Sequence, residues 1–173
     1  MHGASEDDLA AARGGDSRAF ERLVSPYRDR LWAVCLRTTR HPADAEDALQ
    51  ECLIALWRNL DKYRGDATFS TWAYRIATNA ALGVIRRRRD ESEDGFEDRA
   101  AEGDFAHDIA ERDRVQAALR QIPEDFRVAL VLREYGQLTY DEIAAHQGIL
   151  VQTVKSRISR ARAAMAAVLT EME

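Results

Sequence analysis

Apolar residues recur at helical spacing along almost the whole chain, and no alternating strand pattern lasts more than a few residues. Stripes of this kind predict helices at about residues 20–38, 42–60, 70–89, 108–122, 124–135, 140–147 and 151–169. Ser25 and Pro26 interrupt the first stripe, where the helix either kinks or ends so that Ser25 caps a new helix with Pro26 in its first turn. We favour the second arrangement. The pattern as a whole predicts an all-α protein.

One acidic segment breaks this pattern in the middle of the chain. From Asp90 to about Gly103 the sequence is rich in carboxylates, poor in apolar residues and carries two glycines, so it cannot bury enough surface to order itself. We therefore expect a flexible acidic linker at residues 91–107, between small helical domains at residues 1–90 and 108–173.

The net charge of −5 argues weakly against a nucleic-acid binder, but this average is misleading. Lys and Arg number 15 against 13 Asp and Glu in residues 1–90, 3 against 10 in residues 91–114, and 7 against 7 in residues 115–173. The deficit lies entirely in the middle segment, and local fields decide what such a protein attracts.

Neither a secretion signal nor a membrane span is apparent, because the N-terminus is acidic and no run of about 18 apolar residues occurs. We therefore expect a cytoplasmic protein without membrane insertion.

Cys35 and Cys52 fall on apolar stripes without CxxC spacing, which favours two reduced core thiols. The four histidines show no ligand spacing, so no structural metal is expected.

The stretch LTYDEIAAHQGILVQTVKSRISRARAAM, residues 138–165, has the pattern of a helix-turn-helix. Thr139 and Glu142 form a Thr-x-x-Glu capping box that starts a short helix. Ala144 is small where a second helix must cross closely, and Gly148 permits the positive φ of a sharp turn.

Hydrogen-bond donors cover the predicted outer face of the second helix, and no carboxylate follows before Glu171. Arg and Lys can bond guanine edges or phosphates, and Gln can pair with adenine. This face indicates binding of duplex DNA, whereas a solvated helix in a plain bundle would need neither the capping box nor the glycine turn. Its residues are Gln152, Lys155, Ser156, Ser159, Arg160 and Arg162.

In the first domain, residues 63–89 read YRGDATFSTWAYRIATNAALGVIRRRR. This sequence predicts a loop with an aromatic residue at each end, Tyr63 and Phe69, followed by a helix. The outward face of that helix is predicted to carry Arg75, Thr78, Asn79, Leu82 and Arg86. Asn79 can hydrogen-bond a base edge and the arginines can hold phosphates, which suits a single strand with exposed bases.

These residues resemble the extracytoplasmic-function (ECF) sigma factors, the smallest class of the sigma-70 family, in order and spacing. DAEDALQECLIALW (44–57) is similar to the helix that docks on the β′ clamp helices of RNA polymerase. YRGDATFSTWAYRIATNAA (63–81) is similar to the segment that melts the −10 element and captures a flipped base. IPEDFRVALVLREYGQLTYDEIA and GILVQTVKSRISRARAAM resemble region 4, which reads the −35 element.

The resemblance implies three groups of site residues. Binding to the polymerase would fall to Asp44, Glu46, Asp47, Gln50, Glu51 and Trp57. Binding to the −10 strand would fall to Asp66, Thr68, Phe69, Trp72, Arg75, Asn79, Arg86, Arg87 and Arg88. Binding to the −35 element would fall to Gln152, Thr153, Lys155, Ser156, Arg157, Ser159, Arg160 and Arg162.

The resemblance also implies a function that is not enzymatic. A sigma factor binds core RNA polymerase at the β′ clamp helices and the β flap, and directs initiation at a double-stranded −35 and a single-stranded −10 element. It would need no cofactor, since the polymerase does the chemistry, and an anti-sigma factor would hold it inactive. The acidic linker would thread the polymerase interior and imitate the charge of RNA, the alternative being a merely soluble linker.

Three residues depart from the family pattern. Gly83 stands where Asp or another polar residue is common, and Leu150 and Gln152 stand where Ser or Pro, and then Gly, are common. A missing hydroxyl at position 150 removes an N-cap worth roughly 1 kcal/mol. The changes at Leu150 and Gln152 leave the −35 preference open.

Two other functions compete with this interpretation. A stand-alone helix-turn-helix regulator would bind a DNA palindrome as a dimer, but its sensor domain would not need the strand-binding face of residues 63–89. An enzyme acting on nucleic acid would need clustered carboxylates around a metal, or a nucleophile and a base. Asp44, Glu46 and Asp47 instead spread around a helix start, where they complement its dipole.

Overall fold

The structure, a computed structural model, describes residues 5–91 and 108–171, and every regular element in these stretches is a helix. The first stretch comprises α1 (Glu6–Arg13), α2 (Ser17–Val24), a 3₁₀ turn (Ser25–Tyr27), α3 (Arg28–Thr39), α4 (Pro42–Arg58), a second 3₁₀ turn (Leu60–Lys62) and α5 (Phe69–Glu91). The second comprises α6 (Asp108–Arg120), α7 (Glu124–Glu134), α8 (Tyr140–Gln147) and α9 (Val151–Glu171). The all-α prediction is confirmed. The predicted linker, apart from Glu91 at the end of α5, lies outside the described residues.

Helices α3, α4 and α5 pack on one another and build the core of the first unit. Pro42 lies in the first turn of α4, where its missing amide hydrogen costs nothing, and Asp44 complements the helix dipole there. Cys35 and Cys52 are buried as free thiols, so the prediction of two core cysteines is confirmed. Other core side chains are Leu31, Val34, Ala45, Ala48, Leu56, Ala73 and Ala77.

The prediction that Ser25 caps a new helix is wrong. Ser25 keeps right-handed helical angles and its amide donates to the carbonyl of Glu21, so α2 runs directly into the 3₁₀ turn that contains Pro26. Helix α3 then begins at Arg28 without a side-chain cap. Because the turn still uses helical backbone angles, no extended residue is available at Ser25 from which a hydroxyl could cap.

Helices α6 to α9 form the second unit, in which α9 packs along α7 and contacts α6 and α8. Pro123 precedes α7 with extended angles, and Glu124 and Asp125 follow in the first turn, where they favour the helix start. The large fully buried side chains of this unit include Leu119, Ile122, Val131, Leu132, Leu138, Ile143, Val154 and Ile158.

The two units contact each other, mainly through α3 and α5 of the first and α7 of the second. Arginine side chains donate hydrogen bonds across the contact. Arg37 Nη1 donates to Gln116 Oε1 at 2.8 Å, and Arg40 Nη1 donates to the carbonyl of Arg120 at 3.0 Å. Hydrogen bonds from these arginines therefore cross the contact, beside a buried apolar cluster that includes residues of both units.

Candidate nucleic-acid interface

Helices α8 and α9 form the predicted helix-turn-helix. Thr139 Oγ1 accepts the amide of Glu142 at 3.2 Å, and Glu142 Oε2 accepts the amide of Thr139 at 2.8 Å, which completes the capping box. Gly148 ends α8 at φ 66°, a left-handed conformation that glycine adopts without strain. The amide of Ile149 then donates to the carbonyl of Ala144 at 3.1 Å. Local hydrogen bonds thus fix the direction in which α9 leaves the turn.

The outer face of α9 is accessible and rich in donors. Gln152, Lys155, Ser159 and Arg160 are exposed, while Thr153 and Ser156 are half-buried. The hydroxyl of Ser156 donates to the carbonyl of Thr153 at 2.9 Å, so it lies against the helix backbone. Lys155 Nζ lies 5.9 Å from the centre of the Tyr140 ring, a favourable cation–π distance.

Two of the residues predicted to bind the −35 element already have carboxylate partners. Arg157 Nη2 lies 3.0 Å from Asp125 on α7, and its Nη1 donates to Gln147 on α8 at 3.2 Å. Arg162 Nη2 lies 2.6 Å from Glu134, and this hydrogen bond raises the pKa of Arg162. Both arginines hold α9 against its own unit. Their contact with DNA stays a prediction.

The loop before α5 is shaped by an aromatic cluster. Phe69 is only 3% exposed, and its ring centre lies 5.7 Å from that of Tyr63 and 5.8 Å from that of half-buried Trp72. Thr68 caps α5, since its Oγ1 accepts the amide of Thr71 at 3.2 Å, while Asp66 is exposed in the loop. Phe69 therefore supports the loop from within, and Asp66 and Thr68 lie at its surface.

Part of the predicted strand-binding face of α5 looks toward the second unit. The prediction that Thr78 lies on this outward face is wrong, because Thr78 is buried and its hydroxyl donates to the carbonyl of Tyr74 at 2.9 Å. Arg75 Nη2 donates to the carbonyl of Glu142 on α8 at 3.4 Å, a long hydrogen bond. Asn79 and Leu82 line a cleft of about 240 Å³ between the units, opposite His146 and Ile149. Burial lowers the pKa of His146, and the positive charge of Arg75 lowers it further. In this arrangement the second unit partly covers Arg75, whereas Asn79 stays exposed beside the cleft.

The four arginines at the end of α5 lie on the protein surface, but three of them form ion pairs. Arg87 pairs with Glu51, Arg88 Nη2 lies 2.6 Å from Asp44, and Arg89 Nη2 lies 2.6 Å from Glu124. Arg86 is exposed. Two arginines predicted to hold DNA phosphates are thus bound to acids predicted to contact the polymerase.

The outer surface of α4 combines acidic and apolar side chains. Glu46, Asp47 and Gln50 are exposed in its first half. Farther along, Ile54 is 45% exposed and Trp57 is 38% exposed. The Trp57 ring rests edge-on against Phe20 of α2, at 5.1 Å between ring centres. The sequence pattern missed Ile54, although its spacing of three residues from Trp57 places both on neighbouring parts of one face.

The described residues give no sign of other chemistry. Among the side chains that the structure describes, in residues 5–91 and 114–170, no group of three or more His, Cys, Asp or Glu could hold a metal ion. None of the helices described is long and apolar enough to cross a membrane.

Two protein-family models match the chain. One describes region 2 of sigma-70 and matches residues 23–91, and the other describes region 4 of sigma-70 and matches residues 112–165. The RNA polymerase sigma-H factor of Pseudomonas aeruginosa is 40% identical over 87% of this chain and 86% of its own length. The ECF RNA polymerase sigma-E factor of Escherichia coli K12 is 38% identical over the same shares.

Solved structures agree with this match. CnrH, in complex with the cytosolic domain of CnrY, superposes with a TM-score of 0.73 at 28% identity, over 98% of this chain and 99% of CnrH. The sigma factor RpoE of Bartonella quintana, in complex with the anti-sigma factor NepR, shares the fold with a TM-score of 0.73 at 24% identity, over 87% of this chain and 96% of RpoE.

The chain therefore belongs to the sigma-70 family, in which regions 2 and 4 correspond to the two helical units. Within that family it is an ECF-type sigma factor, a transcription initiation factor. A stand-alone helix-turn-helix regulator is not favoured, because the first unit also matches a sigma-factor region.

Proposed function

We propose that this sigma factor reads the −35 duplex with α9 and the −10 single strand with α5. The observation that carries the proposal is the donor-rich exposed face of α9, which stands in the second helix of a helix-turn-helix. Gln152, Ser159 and Arg160 can bond base edges there, and Lys155 can bond phosphate. On α5, Asn79 would engage an unstacked base, and Arg75 and Arg86 would hold the backbone.

The acidic and apolar surface of α4 would dock on core polymerase at its β′ clamp helices, while the second unit would meet the β flap. Support comes from Ile54 and Trp57, whose exposed apolar area adjoins Glu46, Asp47 and Gln50. A partly exposed Trp beside charged residues is typical of an interface anchor. The chain would contribute recognition without catalysis or a cofactor and would act in the cytoplasm.

We also propose an anti-sigma factor as a partner. RpoE is bound to an anti-sigma factor in its structure, and CnrH is bound to CnrY. In this chain the same α4 surface, together with an apolar groove of about 530 Å³ between α6, α7 and α9, would suit such a partner. Groove residues include Leu119, Leu130, Tyr135 and Met165.

Run-off transcription with purified core polymerase tests the proposal. Initiation should depend on the protein and fall tenfold or more when Asn79 or Arg160 becomes Ala. Arg18→Ala is the matched control, because Arg18 is an exposed cation on α2, away from α5 and α9. Tight binding to a duplex palindrome, without core binding or initiation, would instead support the stand-alone regulator.

A further inference from the structure

Leu150 is the most exposed large apolar side chain in residues 5–91 and 114–170. Its exposed fraction is 76%, against 45% for Ile54 and 38% for Trp57. It lies two residues after Gly148, and its carbonyl accepts the amides of Thr153 and Val154 at 2.9 and 3.1 Å. Leu150 is therefore the N-cap residue of α9.

A leucine is a poor choice at this position for stability. N-cap residues are usually Ser, Thr, Asp or Asn, because a side-chain oxygen can accept an otherwise unpaired amide of the first turn. Leucine supplies no such oxygen, and 76% exposure leaves its apolar surface in water. The side chain gains little from the folded chain itself and is accessible to whatever α9 binds.

The surroundings of Leu150 indicate a nucleic-acid partner. Residues 151–170 contain four Lys and Arg and no Asp or Glu, and Gln152 and Lys155 are exposed beside it. The preceding residue, Ile149, lines the cleft between the units together with Asn79 and Leu82 of α5, whereas the Leu150 side chain is exposed to solvent. The second helix of a helix-turn-helix enters the major groove with its N-terminal residues against base edges.

We propose that Leu150 contacts the C5-methyl group of a thymine in the −35 element and so selects that base. This inference rests on the proposed function. The thymine methyl is the apolar group that base pairs present in the major groove, where the other edges offer hydrogen-bond donors and acceptors. Gln152, two residues farther along, can form two hydrogen bonds with the adenine of an A·T pair. The N-terminal end of α9 is therefore adapted to A·T rather than G·C pairs.

The test uses the full chain bound to core polymerase. The −35 sequence is first selected from promoters randomised in that element, and each thymine is then replaced by deoxyuridine, which keeps its hydrogen bonds but lacks the methyl group. For the native protein, one replacement should weaken promoter binding about threefold to tenfold, the range expected for one buried methyl group. In Leu150→Ala the same replacement should change binding less than 1.5-fold.

Leu150→Ser provides a second variant that restores a capping hydroxyl. It should melt at a higher temperature than Leu150→Ala. Like Leu150→Ala, it should bind the thymine and deoxyuridine promoters with nearly equal affinity. A purely structural role of Leu150 would give the opposite result, because restoring the cap would also restore discrimination.

Two outcomes would overturn the proposal. Either no deoxyuridine weakens binding by the native protein, or the weakening persists in both variants because another residue reads the methyl group. Initiation from the unsubstituted promoter is scored in the same assay. If it failed for the native protein, the proposed function itself would be wrong, and that result is distinct from both outcomes.

Discussion

The guanidinium of Arg127 on α7 donates through Nε to the carbonyl oxygen of Thr38 on α3, at 3.2 Å, and thereby joins the two units. Its Nη1 also donates to the carbonyl of Ile122 at 2.9 Å, and the residue is only 2% exposed. Burial lowers its pKa to about 10, and nearby Arg40 contributes, while Glu124 acts in the opposite direction. The Thr38 carbonyl lies in the last turn of α3, where helix carbonyls carry partial negative charge, and Ile122 lies in the turn between α6 and α7.

Replacing Arg127 by Ala should destabilise the protein by about 2–4 kcal/mol, because it uncovers two buried carbonyl oxygens and leaves a cavity. Arg127→Met should lose less, since it keeps the volume and removes the cost of burying a charge. Urea unfolding measures both values, with Arg18→Ala as an exposed control. Equal stability of the native protein and Arg127→Ala would show that these hydrogen bonds contribute nothing.

Arg160 and Arg162 should differ in their effect on promoter binding. Arg160→Ala should cost about 1–3 kcal/mol of binding free energy if its guanidinium bonds a base edge. Arg162 pairs with Glu134 at 2.6 Å, so part of its DNA contact is offset by breaking that pair, and we expect a cost of about 0.5 kcal/mol. Fluorescence anisotropy of polymerase holoenzyme on −35 promoter fragments, at two salt concentrations, measures both. A larger loss for Arg162→Ala would reverse this assignment.

Acid should destabilise the protein through His146. Burial and Arg75 lower its pKa in the folded state, so below the ordinary pKa of 6.5 the unfolded chain takes up a proton more readily. The stability is fully present above that pH and is lost as the pH falls through the folded-state pKa. Thermal melts between about pH 7.5 and about pH 5.5 should therefore show a smaller decline for His146→Asn than for the native protein.

Arg75→Gln supplies the matched variant for this titration. It removes the second cause of the pKa shift and leaves burial in place, so its decline with acid should fall between those of the native protein and His146→Asn. Identical pH profiles for all three proteins would exclude His146 as the titrating group.

Both cysteines should resist alkylation while the protein is folded. Burial raises the pKa of Cys35 to about 12 and that of Cys52 above its ordinary value, so almost no reactive thiolate is present at neutral pH. Mass spectrometry after iodoacetamide treatment should find neither thiol modified in buffer and both modified in urea. Rapid labelling of either cysteine in buffer would mean that the α3–α4–α5 core opens readily.

Local signals in the sequence were sufficient for the helix-turn-helix. Thr139 and Glu142 lie three residues apart, and Gly148 supplies the one backbone conformation that other residues adopt at a cost, so neighbouring residues alone determine the capping box and the turn. The cysteines were equally predictable, because the apolar stripes of α3 and α4 have only one face that can be buried.

Contacts between distant residues could not be predicted in this way. The ion pairs of Arg87 with Glu51 and of Arg88 with Asp44 depend on how α4 and α5 lie against each other, which helical periodicity does not specify. Likewise, an aromatic at the start of a helix can face inward or outward, and only packing against Tyr63 and Trp72 decides that Phe69 is buried. Ser25 was mispredicted because a Ser-Pro pair also fits a tight 3₁₀ turn.

The ion pairs of α5 bear on how the protein avoids DNA that is not a promoter. Four consecutive arginines would bind any duplex, since affinity for bulk DNA rises with the number of phosphates that cations can neutralise. In the folded chain Arg87, Arg88 and Arg89 form ion pairs with carboxylates. The C-terminal end of α5 therefore carries less unpaired positive charge than its sequence suggests. A genome offers about a million or more competing sites. Pairing these charges within the chain should lower its affinity for such sites.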